Sequence, residues 1–210
     1  MPPGLFIAIE GVIGVGKTTL ATAMSEALGA RPVFEQVEEN PFLPLFYGDR
    51  RRYAFQTQLF FLLSRYRQML AQRQRDIFQA SVVSDYFFQK DRIFASVNLS
   101  EDELRLYDQI LPLLERDLPR PDRLVYLRAD LPVLQKRIQK RGRSFERDMD
   151  PEYLRVLGEA YDYYFFHYRA TPLLVVNTNA INVVDHPEER DDLIRRIMAH
   201  EKGTAYYTPG

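Results

Sequence analysis

This sequence predicts an α/β domain built on a parallel sheet with helices on both faces. Two observations carry the prediction. Five short apolar runs bounded by breakers alternate with stretches of helical periodicity, and the first run feeds a glycine-rich turn that ends in Gly16-Lys17-Thr18.

In chain order, Leu5-Phe6-Ile7-Ala8-Ile9 forms the first strand. The turn after it fits G-x-x-x-x-G-K-[ST] at Gly11, Gly16, Lys17 and Thr18, and Gly14 adds a position where backbone N–H groups can turn inward toward an anion. The next helix starts at this loop, so its positive dipole end adds to the anion site, and Gly29 stands as the left-handed residue that stops it. Further strands are expected at 32–34, 81–84, 123–127 and 173–176. Phe55, Leu59, Leu62, Leu63, Tyr66, Met69 and Leu70 recur near the helical period, which predicts one long amphipathic helix over 51–75. Ser100 with Glu103 is a capping box opening a helix to about residue 118, kinked by Pro112. Asp130 ahead of Leu131-Pro132 and Asp150 ahead of Pro151 cap two more. Residues 203–210 carry no comparable signal and are expected to fray. With no repeat, low-complexity tract or linker, 1–210 reads as a single domain whose ligands sit at the carboxyl ends of the strands.

Composition narrows the function. A chain of 210 residues buries roughly 70% of its unfolded surface, so it needs no disulfide or structural metal, and it has no cysteine. That suits a reducing cytoplasm. The sequence predicts neither secretion nor membrane spanning, having no apolar run near the required length. With 28 basic against 29 acidic side chains it has no global field to draw nucleic acid or anionic lipid. His167, His186 and His200 lack metal-ligand spacing.

The chemistry-bearing residues follow from the loop. Gly11, Gly14, Val15, Gly16, Lys17, Thr18 and Thr19 form a phosphate cradle, with Lys17 reaching the β/γ-phosphates and the Thr18 hydroxyl holding Mg²⁺. Glu35, at the end of the second strand, is a candidate base for a hydroxyl acceptor, or a solvated strand-end acid. In the run from Arg137 to Arg147, Arg137 and Arg141 share a helix face and Gly142 lets the chain turn to present Arg143. This reads as a mobile lid over about 137–150 that neutralises charge on a transferring phosphoryl, or as a solvated cationic helix end. Gln58 and Arg65 lie two turns apart on the long helix, either a binding face or plain surface. Asp85 closes the third strand where a Mg²⁺-linked carboxylate fits, and Lys90, Asp91 and Arg92 form a cluster that could equally be a surface network.

Taken together, these residues resemble the deoxynucleoside kinase family, in particular its bacterial deoxyadenosine/deoxyguanosine branch. The resemblance spans nearly the whole chain and rests on Ile9-Glu10-Gly11, the stretch from Phe34 to Leu43, Phe46-Tyr47, Tyr53 to Gln58 with Ser64-Arg65, Ile93-Phe94-Ala95, and Arg137 through Glu146 followed by Tyr153-Leu154. It implies a P-loop NTPase-type three-layer fold with a five-stranded parallel sheet and a helical lid. It further implies ATP and Mg²⁺, a deoxynucleoside acceptor and a homodimer formed through two helices. By the same resemblance Glu35 activates the 5′-hydroxyl, Tyr47 and Glu146 bind the sugar 3′-hydroxyl, Gln58 bonds the base, Phe94 stacks on it and Arg65 supports the base or the carboxylate. Lys17, Arg137, Arg141 and Arg143 hold the phosphates.

One departure stands out: many members carry an acid followed by arginine after the third strand, and this chain reads Asp85-Tyr86. Lys90 or Arg92 is then the expected substitute cation. Gln58 favours deoxyadenosine slightly over deoxyguanosine. A nucleoside monophosphate kinase of the thymidylate kinase type is the alternative, disfavoured because Glu35 would repel an acceptor phosphate. A GTPase switch lacks its D-x-x-G and N-K-x-D segments, and a non-catalytic subunit has no use for Lys17, Glu35 and the lid arginines.

Overall fold

A computed structural model of the chain describes residues 4–74, 81–147, 149–181 and 186–209. Arg75 at the end of the expected long helix, Asp148 in the expected lid and Gly210 in the tail lie outside the described residues. The strands are β1 (Phe6–Gly11), β2 (Arg31–Val33), β3 (Val82–Ser84), β4 (Arg123–Arg128), β5 (Leu173–Asn177) and β6 (Thr204–Tyr207). The helices are α1 (Lys17–Leu28), α2 (Leu43–Gly48), α3 (Arg50–Gln74), α4 (Lys90–Asn98), α5 (Glu101–Glu115), α6 (Leu131–Arg141), α7 (Pro151–His167) and α8 (Pro187–Ala199).

All strand pairs are parallel, in the order β2-β3-β1-β4-β5-β6. From β1 the chain builds one side of the sheet with β2 and β3, then returns to the other side. The phosphate loop therefore opens at the point where the order reverses, which is where such sheets bind ligands. Every residue of β1 is buried, so both its faces are covered. On the face that carries Glu10 and Tyr126, α7 supplies Tyr161 and Phe165, and the Phe165 ring stacks on Tyr126 with centroids 4.3 Å apart. Helix α1 lies against β1, β2 and β3 and packs on α8. A smaller apolar cluster of Leu62, Phe88, Ala95, Tyr107 and Leu111 joins α3, α4 and α5.

Local signals in the sequence explain the helix ends. Gly29 takes φ +60° after α1. The Ser100 backbone N–H donates to the Glu103 carboxylate at 2.9 Å, as a capping box requires. The Asp150 side chain caps α7 through the Glu152 N–H. Helix α5 passes through Pro112 and ends one turn later, earlier than residue 118.

The sheet has six strands where five were expected, and the expected frayed tail supplies the sixth. Residues Thr204 to Tyr207 pair with Leu173 to Val176. Tyr207 anchors the strand: its hydroxyl donates to Asp192 at 2.9 Å, and Arg196 stands 4.3 Å from its ring centroid. Thus α8 holds the tail in the sheet.

Candidate active site

Helix α1 begins directly at the phosphate loop. Gly14 there takes φ +86°, and a Cβ on it would stand 2.7 Å from Ile138 Cγ1 and 3.0 Å from the Leu134 carbonyl oxygen. Only bare backbone lets the loop lie this close to α6. Lys17 Nζ donates to the carbonyls of Gly11 at 2.7 Å and Val12 at 3.3 Å, which folds the ammonium over the cradle. Burial, followed by the charge of Lys90, pulls its pKa down to about 8 against the opposing carboxylates Glu10, Glu35 and Asp85.

Asp85 ties the two sides of the cleft together. Its Oδ2 accepts from Thr18 Oγ1 at 2.5 Å, and its Oδ1 accepts from the Glu35 backbone N–H at 2.8 Å. One carboxylate therefore sets the start of α1 relative to the residue beyond β2. Among the described residues no group of three His, Cys, Asp or Glu could hold a metal by itself. A hydroxyl beside a carboxylate is instead the hard oxygen pair that Mg²⁺ uses when phosphate oxygens and water complete its shell.

Glu35 sits between two cations. Arg65 Nε donates to Oε1 at 2.8 Å with Nη2 on the same oxygen, and Lys90 Nζ donates to Oε2 at 2.8 Å. Arg65 Nη1 turns the other way and pairs with Asp91. Arg65, Lys90 and Asp91 are all buried. Burial alone would raise the Glu35 pKa, but Arg65 and then Lys90 hold the carboxyl well below the usual range. For Asp91 burial wins over Arg65 and pushes its pKa up. Arg65 thus bridges two carboxylates, while Lys90 faces the cleft.

The whole cleft, from the phosphate loop past Glu35, encloses about 940 Å³. Of the residues predicted for the site, only Gly11, buried at the end of β1, and the candidate cation Arg92 do not line it. Gln58 is buried on α3, and among the described residues its amide has no hydrogen-bond partner. Phe94 meets Tyr161 edge-on with centroids 6.0 Å apart, and Tyr47 stacks on Phe145 at the same spacing with rings 16° from parallel. Burial, with Tyr153 and Glu146 nearby, pushes the Tyr47 hydroxyl well above its ordinary pKa. Asn98 Nδ2 donates to the Tyr153 hydroxyl at 3.2 Å, and both line the same wall.

The arginine segment divides into anchor and tip. After α6 the chain turns at Gly142, φ +71°, into a one-turn helix Ser144–Glu146. Arg141 pairs with the buried Glu146, and Arg143 lies 3.7 Å from both Glu146 and Glu38. Arg137 differs from the mobile lid group expected. Its Nη1 donates to the Val15 carbonyl and Thr178 Oγ1, both at 3.0 Å, and its Nη2 to the Thr178 carbonyl at 2.7 Å. That makes it a strut from α6 to the phosphate loop and the end of β5.

The cluster of Lys90, Asp91 and Arg92 also divides. Arg92 pairs with Asp108 at 2.6 Å on the half-exposed outside of α4, so it cannot supply the cation missing after Asp85, whereas Lys90 lies in the cleft. Tyr86 is wholly buried and its hydroxyl donates to Gln68 at 2.8 Å.

Sequence reasoning missed the organising role of Glu10. Wholly buried on β1, it accepts from the N–H groups of Gly11 and Phe87 at 2.9 Å each and from the Tyr161 hydroxyl at 3.0 Å. An acid inside an apolar strand was the available signal. Asn98 and Thr178 carried none, and Tyr153 entered only through the family resemblance, without a role.

A phosphate loop at the head of a parallel sheet, facing a carboxylate held by two buried cations and an arginine segment, has the parts of a P-loop phosphotransferase. The solved structure of deoxyadenosine kinase from M. mycoides with bound dCTP shares the fold, with TM-score 0.78 and 27% identity over 93% of this chain and 100% of that one. The family model for deoxynucleoside kinase matches residues 7–201. Deoxyguanosine kinase of Bacillus subtilis (strain 168) is 40% identical over 199 residues, covering 94% of this chain and 96% of the relative. Deoxyadenosine kinase of Lactobacillus acidophilus is 32% identical over 205 residues, covering 91% and 94%. The chain belongs to the deoxynucleoside kinase family.

Proposed function

We propose that this kinase transfers the γ-phosphoryl group of ATP to the 5′-hydroxyl of a purine deoxynucleoside, as a cytoplasmic salvage enzyme. The observation that carries this reading is Glu35, an ionised carboxylate fixed by Arg65 and Lys90 in the cleft that Lys17 enters. A hydroxyl acceptor needs a positioned proton acceptor there. An acceptor that already bears a phosphate would meet a negative charge instead, which ranks the monophosphate kinase second.

In this reading Gly14 to Thr19 cradle the donor phosphates and Lys17 binds the β/γ oxygens. Thr18 and Asp85 would hold Mg²⁺, which offsets phosphate charge when bound. Gln58 bonds the base, Phe94 stacks on it, and Tyr47 with Glu146 holds the 3′-hydroxyl. Arg141 and Arg143 close over the phosphates while Arg137 fixes the root of α6. Gln58 pairs one donor and one acceptor with adenine, which favours deoxyadenosine, whereas the relative with 40% identity is named for deoxyguanosine. The purine choice rests on these names and on Gln58 together.

Residues 1–210 act as one kinase domain with a lid over 137–150. No described helix is long and apolar enough to cross a membrane. We place a homodimer on the outer faces of α5 and α7, where Leu113 is 75% and Tyr163 73% exposed. Light scattering that gives the mass of one chain would refute it.

The deciding experiment is coupled ADP release with each of the four deoxynucleosides at fixed ATP. Turnover with a purine deoxynucleoside is expected. Activity toward a monophosphate with none toward any nucleoside would reverse the reading.

A further inference from the structure

Lys90 opens α4 with its ammonium turned inward, and it is only 3% exposed. A buried ammonium is unfavourable unless it is paired, yet among the described residues its single hydrogen-bond acceptor is Glu35 Oε2 at 2.8 Å. Holding Glu35 ionised does not require it, since Arg65 already donates twice to the other oxygen. An ammonium carries three N–H donors, so two are spare. The Phe94 ring lies to one side, 5.6 Å away at its centroid, and the cavity shared with Lys17 and Thr18 lies to the other. Lys90 and Lys17 repel each other across that space: the charge of Lys90 is the largest influence on Lys17 after burial itself. Both ammonium groups line the one cleft, and what relieves their repulsion is an anion between them.

We propose that Lys90 is a catalytic residue whose ammonium holds the transferring phosphoryl group from the acceptor side while Lys17 holds it from the donor side. The inference rests on the kinase reading above. In the step, a bond forms between the 5′-oxygen and phosphorus as the bond from phosphorus to the bridging oxygen breaks, and the electron pair leaves with ADP. The hydroxyl proton passes to Glu35. Lys90 keeps its own protons and neutralises charge on the equatorial oxygens through the whole transfer.

Rapid-quench turnover at saturating ATP and deoxynucleoside tests this with Lys90→Met, Lys90→Gln and Lys90→Arg. Removing the charge is expected to lower kcat by about 100-fold or more, the scale of losing one charge-stabilising donor. KM for the nucleoside should stay within about threefold, because binding precedes transfer. Lys90→Arg should regain at least about tenfold of the loss. Crossing Lys90→Met with Glu35→Gln separates two roles: a lysine on the phosphoryl group still costs about tenfold or more in that background, whereas one acting only through Glu35 costs nothing further.

A Lys90→Met kcat within threefold of wild type, or a loss that vanishes beside Glu35→Gln, overturns the proposal. Thermal melts show whether Lys90→Met folds; if it does not, Lys90→Gln, which keeps a donor for Glu35, carries the same comparison. A wild type that phosphorylates no deoxynucleoside sinks the functional reading and this one with it. An active wild type with an equally active Lys90→Met sinks this one alone.

Discussion

Replacing Arg65 with methionine removes the residue that joins the cleft carboxylate Glu35 to the buried carboxylate of Asp91. Its side chain is 6% exposed and that of Asp91 is fully buried, so Asp91 loses the guanidinium that compensates its charge. Breaking a buried pair by removing one partner costs about 3–5 kcal/mol, and in a chain of this size each kcal/mol moves the melting temperature by about 2–4 °C. Arg65→Met should therefore melt about 6–20 °C below wild type at pH 8. Its pH dependence has a definite sign. Burial already raises the Asp91 pKa, and loss of Arg65 raises it further. An acid whose folded pKa lies above its unfolded one stabilises the fold when protonated and loses that contribution as pH rises. The deficit should accordingly shrink from pH 8 to pH 5. Adding Asp91→Asn removes the stranded charge and should restore at least half of the lost melting temperature. Circular-dichroism melts of the three proteins at both pH values read all of this. A variant melting within about 2 °C of wild type at pH 8, or a double variant less stable than Arg65→Met, would refute the reasoning.

Three further outcomes follow from the geometry. Gly14→Ala must place a Cβ against Ile138 and the Leu134 carbonyl at a left-handed φ. Strain of about 1–2 kcal/mol should raise the Kd for ATP, read by calorimetry, several-fold more than that for nucleoside. Because burial and then Lys90 pull the Lys17 pKa down to about 8, and the group must be charged to hold phosphate, kcat/KM for ATP should fall as pH rises through that value in the free enzyme. The kcat limb should lie higher, since bound phosphates favour the ammonium, and Lys17→Arg should move both limbs upward. On the acid side Arg65 and Lys90, overcoming burial, keep Glu35 ionised, so kcat should show no Glu35 titration between about pH 5 and 7. An acid limb in that range that disappears in Glu35→Gln would refute this.

Much of the frame was legible because it is local. The phosphate loop, the left-handed Gly29 and Gly142 and the capping box of Ser100 and Glu103 are decided by residues within a few positions of one another. Strand β6 was not, because Thr-Ala-Tyr-Tyr is short, partly exposed and held by Asp192 and Arg196 of another element. The sorting of Lys90, Asp91 and Arg92 was illegible for a related reason. Three adjacent charges on one helix point in different directions, and only the packing of α3 and α5 decides that the first two go inward and the third meets Asp108. Arg137 shows the same limit. Helix spacing places it with Arg141, but its partners are carbonyls at Val15 and Thr178, on loops 122 and 41 residues away in sequence.

A carboxylate held so far toward its ionised form is a weak base, and the reaction it is proposed to serve asks for no stronger one. In a loose phosphoryl-transfer transition state little bond to the incoming oxygen has formed, so the hydroxyl need not surrender its proton early. Once the oxygen–phosphorus bond forms, that proton becomes acidic enough for a weak carboxylate to take. Earlier in the reaction the requirement is a fixed acceptor that keeps the O–H axis in line, and Arg65 and Lys90 fix both oxygens of Glu35. The charge count then matches the substrates. Glu35 and Asp91 against Arg65 and Lys90 form a neutral set on the acceptor side, suited to an uncharged nucleoside. The positive excess lies with Lys17, Arg141 and Arg143 around the cradle, where a polyphosphate belongs.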